Sequence, residues 1–195
     1  IMSEENKIID YKVRKNWEYY WCIDPLDGTK EFIKKNDEFT VNIALVHKDA
    51  PVLGVVYAPA IDKMYWAKKD EGAFVNGEKL PLKTNSTPNK KLFVVASKSH
   101  LSSETQEFID NLDTKQVKQV SKGSSLKLCM VAEGSADIYP RIAPTMEWDT
   151  AAADAIVREA GKMTYQYNSK FNIQNLSLET PMVYNKENLL NPYFV

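Results

Sequence analysis

The stretch Trp21-Cys22-Ile23-Asp24-Pro25-Leu26-Asp27-Gly28-Thr29-Lys30-Glu31-Phe32 (residues 21–32) leaves an apolar run, Tyr19 to Ile23, and at once sets two aspartates three residues apart, followed by Gly and Thr. Asp, Gly and Pro25 all suit a turn after a strand, and a plain turn would account for most of this stretch taken alone. A second reading is chemical. Hard cations such as Mg²⁺ take carboxylate and carbonyl oxygens in near-octahedral geometry. Asp24 at a strand end, the backbone oxygen of Leu26, and Asp27 offer such oxygens, and Pro25 restricts the backbone between them. Gly28 opens a helix or turn whose free amides can hold a phosphate oxygen, and the Thr29 hydroxyl can orient a water. A calcium loop does not compete, because its D-x-D-x-D-G spacing is missing.

Composition narrows the setting. The 195 residues are 44% hydrophobic and 26% charged, which is globular composition rather than disorder, and long enough for one domain with a core. Lys plus Arg number 25 against 26 Asp plus Glu, a net charge of −1, so there is no general electrostatic case for nucleic-acid binding. Cys22 and Cys129 sit in apolar runs without zinc or redox spacing and read as buried thiols. No apolar run approaches the roughly 18 residues of a membrane span. The start, Ile1-Met2-Ser3-Glu4-Glu5, reads as a chain that has lost upstream residues.

Outward from residues 21–32, the first half (1–90) reads as β-rich. Phe39 to Val46, Val52 to Tyr57 and Lys63 to Ala67 are strand-like, and Asn76-Gly77 is a hairpin signal. The second half (91–195) alternates. Leu92 to Ala96 and Ala136 to Tyr139 read as strands. Helices are expected from Ser102 or Ser103 to about Leu112, from Ser124 to Glu133, and from Asp149 to Ala160, the last two ended by Gly134 and Gly161. The tail is loop-rich with a short strand near Met182. Trp17, Trp21, Trp66 and Trp148 are read as packing residues, and His47 has no assigned role. The alternation predicts a layered α/β fold in one unit, residues 1–195.

Three acidic patches stand out: Glu4 and Glu5, Asp24 and Asp27, and Asp149 in "EWDTAAADAI". The Glu pair could be a solvated terminus, and Asp149 a helix N-cap. Together, however, "SEE", "DPLDGTKEF" and "WDTAAADAI" resemble the magnesium-dependent, lithium-sensitive phosphatases of the inositol monophosphatase superfamily. Lys30-Glu31-Phe32, "SKSH" from Ser97, "GSSLK" from Gly123, "AEGSADIYPR" to Arg141 and "NLLNPYF" resemble the branch acting on 3'(2'),5'-bisphosphate nucleotides.

The resemblance implies an α-β-α-β-α layered sandwich whose N-terminal helical layer lies outside this chain. It implies that Glu4 binds a metal with Glu5 supporting it, that Asp24 bridges two metals, that the Leu26 carbonyl and Asp27 serve one each, and that Asp149 serves the second. Two or three Mg²⁺ ions are implied. Thr29 would position the attacking water, and Leu26, Asp27, Gly28, Thr29 and Asp149 would lie along the scissile phosphate. Lys98, Ser99, His100, Gly123, Ser124, Ser125, Lys127 and Arg141 would contact the rest of the substrate, although each alone could be a solvated charge or a cap. Lys98 stands where the family has arginine and loses bidentate geometry. Asp154 departs from the Gly-His of many relatives.

Three functions are weighed: removal of the 3'-phosphate of 3'-phosphoadenosine 5'-phosphate (or its sulfated form) to leave AMP, an inositol or sugar monophosphatase, and a non-catalytic metal- or nucleotide-binding fragment. The expected partner is a small nucleotide, with no nucleic acid and no stable protein partner. The expected location is the cytoplasm, with the inner face of the membrane as an alternative.

Overall fold

Every second residue from Thr40 to His47 is buried, the period-2 signature of a strand with one face against a core. That pattern recurs along most of the first half. A computed structural model describes residues 1–82, 91–97, 101–112, 116–168, 170–176 and 179–195. In chain order its elements are β1 (Met2–Ser3), α1 (Tyr11–Arg14), β2 (Tyr19–Asp27), α2 (Thr29–Ile33), β3 (Thr40–His47), β4 (Ala50–Ala58), β5 (Lys63–Lys68), β6 (Gly72–Val75) and β7 (Glu78–Lys79). There follow β8 (Leu92–Ser97), α3 (Ser103–Asp110), β9 (Val117–Lys122), α4 (Leu126–Glu133) and α5 (Glu147–Glu159). Among the described residues β1 to β7 form one sheet in sequence order, antiparallel except for the β1–β2 pair, while β8 and β9 pair in parallel.

The inward faces of β2 to β6 pack against α5, whose Ala151, Ala152, Ala153, Ala155, Ile156 and Val157 are buried. The main core draws on both halves, joining Cys22, Val46 and Val56 to Leu126, Cys129, Ile156 and Phe194. Both cysteines are free and buried. Arg158, one turn after Asp154 on α5, donates to the buried Asp154 carboxylate (2.9 Å) and to the Met182 carbonyl (2.6 Å). Asp154 is thereby a structural anchor for the C-terminal segment. No helix among the described residues is long and apolar enough to cross a membrane.

Most expected elements are present. The hairpin turn carries Asn76 and Gly77 at φ 46° and 89°, as an Asn-Gly two-residue turn requires. Ser102 caps α3, its Oγ accepting from Thr105 N at 3.1 Å.

Four expectations are corrected. Ala136–Tyr139 is not a strand: Ile138 makes one isolated bridge to Val94, and Asp137 Oδ2 takes the Phe93 amide, which stands in for a ladder partner. Around Met182 there is again only an isolated bridge, Tyr165 to Pro181, where the proline has no amide to donate. α4 begins at Leu126 rather than Ser124, because Ser124 is left-handed (φ 48°). Trp21 is 41% exposed, so it does not pack as expected. It lies with Tyr19, Met64 and the stacked Trp66–Phe74 pair (4.4 Å) among β-residues alternating away from the buried face.

Candidate active site

Residues i and i+3 of a regular strand point to opposite faces. Asp24 and Asp27 nevertheless face the same way. β2 pairs Asp24 with Asn42 but Asp27 with Thr40, so three steps on β2 oppose two on β3. The extra residue is a bulge, which re-aims the side chains that follow it. Pro25, without an amide, falls inside the bulge where a ladder bond is dispensable. Asn42 and Thr40 are both buried, two apart on one face of β3, and the two aspartates share that face. Asp24 is therefore not at the end of a strand, because β2 continues through the bulge and ends at Asp27.

Asp27 is held closely. Its Oδ2 accepts from Ser125 N (2.6 Å), Ser125 Oγ (2.8 Å), Asn42 Nδ2 (3.3 Å) and, at the limit of hydrogen-bond distance, Thr40 Oγ1 (3.5 Å). Asn42 Nδ2 also donates to Ser125 Oγ (2.9 Å). Ser125 Oγ lies 2.7 Å from the Asp149 carbonyl, so its single proton serves either Asp27 or Asp149. Buried, with its amide on Asp27 and its hydroxyl between Asp27 and the Asp149 carbonyl, Ser125 is a brace joining β2, α4 and α5. Asn42, a polar residue at an inward position of an apolar strand, is the partner that the sequence reading missed.

Asp24 Oδ1 accepts from Leu26 N at 3.0 Å, closing a turn around Pro25. Asp149 is the third residue of α5 and not its cap: its Oδ2 accepts from Met146 N at 2.7 Å, the reciprocal half of a capping box. Glu147, at the head of the same helix, is fully buried and accepts from the amides of Asn185 (2.7 Å) and Lys186 (3.0 Å) and from Lys186 Nζ (2.5 Å). Gly28, left-handed at φ 88°, turns the chain into α2, and Thr29 Oγ1 donates to Leu26 O at 3.4 Å.

Glu4, Asp24, Leu26, Asp27, Gly28, Thr29, Gly123, Ser124, Ser125, Lys127, Arg141 and Asp149 thus all line one cavity of about 240 Å³. Glu5 is exposed and outside that lining, while Lys98, Ser99 and His100 lie outside the described residues.

The cavity's electrostatics are uneven. Burial, and then the Asp27 charge, push Asp24 up to about 8, with Glu4 and Asp149 adding to the rise. Burial and the Asp27 charge push Asp149 up to about 7. Burial brings Lys127 down to about 8, with neighbouring Arg141 adding to the fall and Asp27, Glu31 and Glu38 opposing it. Lys127 Nζ donates to Ser124 O at 2.6 Å and lies over the Tyr139 ring at 5.5 Å.

Among the described residues no three His, Cys, Asp or Glu side chains already converge to hold an ion. The chemistry of the donors nonetheless fits a hard cation. Five carboxylates (Glu4, Asp24, Asp27, Glu31 and Asp149) line one cavity with no His or Cys among its lining residues, and neighbouring carboxylates oppose the ionisation of Asp24 and Asp149.

This fit gives a prediction. In the metal-free protein Asp24 and Asp149 hold protons between about pH 4 and 7 that the unfolded chain has released. The folded state then binds more protons, so their contribution to stability falls as pH rises through about 7 and 8. The melting temperature in chelator should be higher near pH 5.5 than near pH 8, and Mg²⁺ should raise it more at the higher pH. Calorimetric melts of the wild type and an Asp24→Asn/Asp149→Asn variant check this. The slope should flatten in the variant, and an unchanged slope would refute the assignment of cause.

The carboxylate-lined cavity and the layered α/β frame suit a metal-dependent hydrolase, and the chain belongs to the inositol monophosphatase family, whose model matches residues 1–192. Enzymes of that family are metal-dependent, typically with Mg²⁺. The chain is 43% identical, over all its 195 residues and 74% of the relative's length, to the 3'(2'),5'-bisphosphate nucleotidase CysQ of Salmonella typhimurium. With the nucleotidase of the same name from Haemophilus influenzae it shares 39% over 198 aligned residues, which span 70% of that protein. Among solved structures, CysQ from Bacteroides thetaiotaomicron superposes with a TM-score of 0.88 at 45% identity, covering 99% of this chain and 74% of that one. Inositol monophosphatase II of Staphylococcus aureus, at 20% identity and a TM-score of 0.76 over 99% of this chain and 69% of that one, shares the fold.

Proposed function

We propose that the chain is a Mg²⁺-dependent 3'(2'),5'-bisphosphate nucleotidase that removes the 3'-phosphate of 3'-phosphoadenosine 5'-phosphate to leave AMP, with the sulfated nucleotide as a related substrate. The observation that carries this reading is an identity of 43%, over the whole of this chain and 74% of the relative's length, to a protein named for that activity. Cationic Lys127 and Arg141 line the same cavity as the carboxylates, which suits a substrate bearing a second phosphate. In this reading the two halves of the chain form a single unit around one site, and the cytoplasm is its place.

Glu4, Asp24, Asp27, Asp149 and the Leu26 carbonyl would hold two or three Mg²⁺ ions. Bound there, Mg²⁺ stabilises charge on the attacking and leaving oxygens of an in-line displacement. The protein's own groups do the rest. Ser125 and Asn42 keep Asp27 aimed by donating to one of its oxygens, Oδ2. Thr29 Oγ, on the turn beside Asp27, orients the water. The amides of Gly28 and Thr29 contact the scissile phosphate. Lys127 and Arg141 bind the second phosphate and fix which ester faces the carboxylates. Water adds to the 3'-phosphorus, the bond from phosphorus to the 3'-oxygen breaks, and that oxygen leaves as a hydroxyl with phosphate as the co-product.

The test is phosphate release from 3'-phosphoadenosine 5'-phosphate beside inositol 1-phosphate, in Mg²⁺ and with lithium added. Lithium-sensitive release favouring the nucleotide is expected. Lys127→Gln and Arg141→Gln should each raise KM for the nucleotide by about tenfold, the cost of one charge-assisted contact. Release from inositol phosphate alone would overturn the substrate assignment.

A further inference from the structure

We propose that Glu38 is a positioning residue of this site: its carboxylate holds the segment Lys122–Ser125 in the place from which Ser125 braces Asp27. The inference deepens the proposed function and rests on it where turnover is concerned.

Glu38 lies in the loop between α2 and β3, in the β-rich half, with its side chain 14% exposed. Its Oε2 accepts from Gly123 N at 2.9 Å and its Oε1 from Lys122 Nζ at 3.3 Å. Lys122 ends β9 and Gly123 begins the short link from β9 to α4, both in the other half of the chain. Two residues after Gly123, the amide and hydroxyl of Ser125 close on Asp27. One carboxylate therefore anchors the beginning of a link whose end sets another. Both contacts are largely shielded from water at the acceptor, whose side chain is mostly buried.

Packing brings the link close against the Glu38 loop. A Cβ on Gly123 would lie 2.8 Å from Glu31 Cγ, 2.9 Å from Glu38 Cβ and 2.9 Å from Glu38 O, so only glycine lets the link press against the Glu38 loop. On its other side Ser124 approaches the Gly28 turn, where an added Cβ would stand 3.3 Å from Ser124 Cβ and 3.4 Å from Glu38 O. Glu38, Gly123 and Gly28 thus form one contact region behind Asp27. Loss of the Glu38 carboxylate frees the link at its anchored end, and Ser125 then no longer holds Asp27 in one orientation.

The experiment compares wild type with Glu38→Ala, Glu38→Gln and Lys122→Ala by Mg²⁺ titration calorimetry and by the Mg²⁺ dependence of nucleotide turnover. Glu38→Ala is expected to weaken Mg²⁺ binding by about 10- to 100-fold, the range for groups that orient a ligand without touching the metal. It should also raise the Mg²⁺ needed for half-maximal turnover by a similar factor. Glu38→Gln, whose amide oxygen can still accept from Gly123 N, should recover most of the loss. Lys122→Ala should change little, since a part-exposed ion pair contributes weakly. A Glu38→Ala protein with a lower melting temperature but wild-type Mg²⁺ binding would overturn the proposal, because a merely structural residue behaves so. If Glu38→Ala does not fold, Glu38→Asp keeps the charge but not the reach, and wild-type Mg²⁺ binding by it would overturn the proposal equally. Absence of nucleotide turnover in the wild type would sink the proposed function alone, because the calorimetric comparison still tests Glu38.

Discussion

Asp27→Asn is expected to lower kcat by at least about a hundredfold while moving the melting temperature by only a few degrees. Groups that merely orient a metal ligand cost 10–100-fold when removed, so a ligand itself should cost more. The small effect on stability follows from the bonding. All four donors to Asp27 meet the single oxygen Oδ2, and an asparagine carbonyl can take its place against Ser125 N, Ser125 Oγ, Asn42 Nδ2 and Thr40 Oγ1. Those bonds weaken by about 1 kcal/mol when the acceptor loses its charge. Against that loss, removing the charge relieves its repulsion with Asp24 and Asp149, where it is the largest contributor after burial. Turnover measured across a Mg²⁺ titration, alongside thermal melts, separates the two effects. Wild-type turnover at saturating Mg²⁺ would remove Asp27 from the metal site.

The reason Asp27 is so exactingly placed also marks where sequence reading stopped. Two aspartates around Pro-Leu, with Gly-Thr after them, also suit a plain turn, and they become legible as a metal site only together with the Glu4-Glu5 and Asp149 motifs and the family resemblance these carry. Their common direction is not legible, because in a strand that spacing puts them on opposite faces. Only the register shift against Asn42 and Thr40 restores one face. Asn42 left a trace, as a polar residue among Thr40, Val41, Ile43 and Ala44 at a position the alternation assigns to the core. Glu38 left none: an acidic residue in a polar loop looks solvated until a link distant in sequence folds onto it. Asp149 was legible as a residue of a helix start but not as the third residue of the helix, since Met146 has no side chain that signals a cap. Ala136–Tyr139 had strand composition, but Asp137 spends its carboxylate on the Phe93 amide. Trp21 was misread because alternation says which residues share a face and not which face is covered.

Gly54 went unremarked in the sequence for a related reason, and it yields the largest expected effect on stability. A Cβ there would lie 2.1 Å from Ala152 O, 2.9 Å from Ala152 C and 2.8 Å from Ala155 Cβ, distances that real Cβ atoms do not tolerate. β4 and α5 touch backbone to backbone at this point, so no flexible side chain can yield. Overpacking ordinarily costs 1–3 kcal/mol, and Gly54→Ala is expected at or above about 3 kcal/mol, a fall in melting temperature of roughly 6–12 °C for a chain of this size. Adding Ala155→Gly should restore little, because the closest contact is to a carbonyl oxygen that the second change leaves in place. The displaced helix carries Asp149, whereas Asp24 and Asp27 stay on β2. Molecules that remain folded should therefore also bind Mg²⁺ more weakly, as calorimetric titration well below the melting temperature can measure. A lowered melting temperature with wild-type Mg²⁺ affinity would mean that α5 yields at Ala152 and Ala155 while its first turn stays fixed. The anchors for that would be Ser125 on the Asp149 carbonyl and the buried Glu147 on the amides of Asn185 and Lys186.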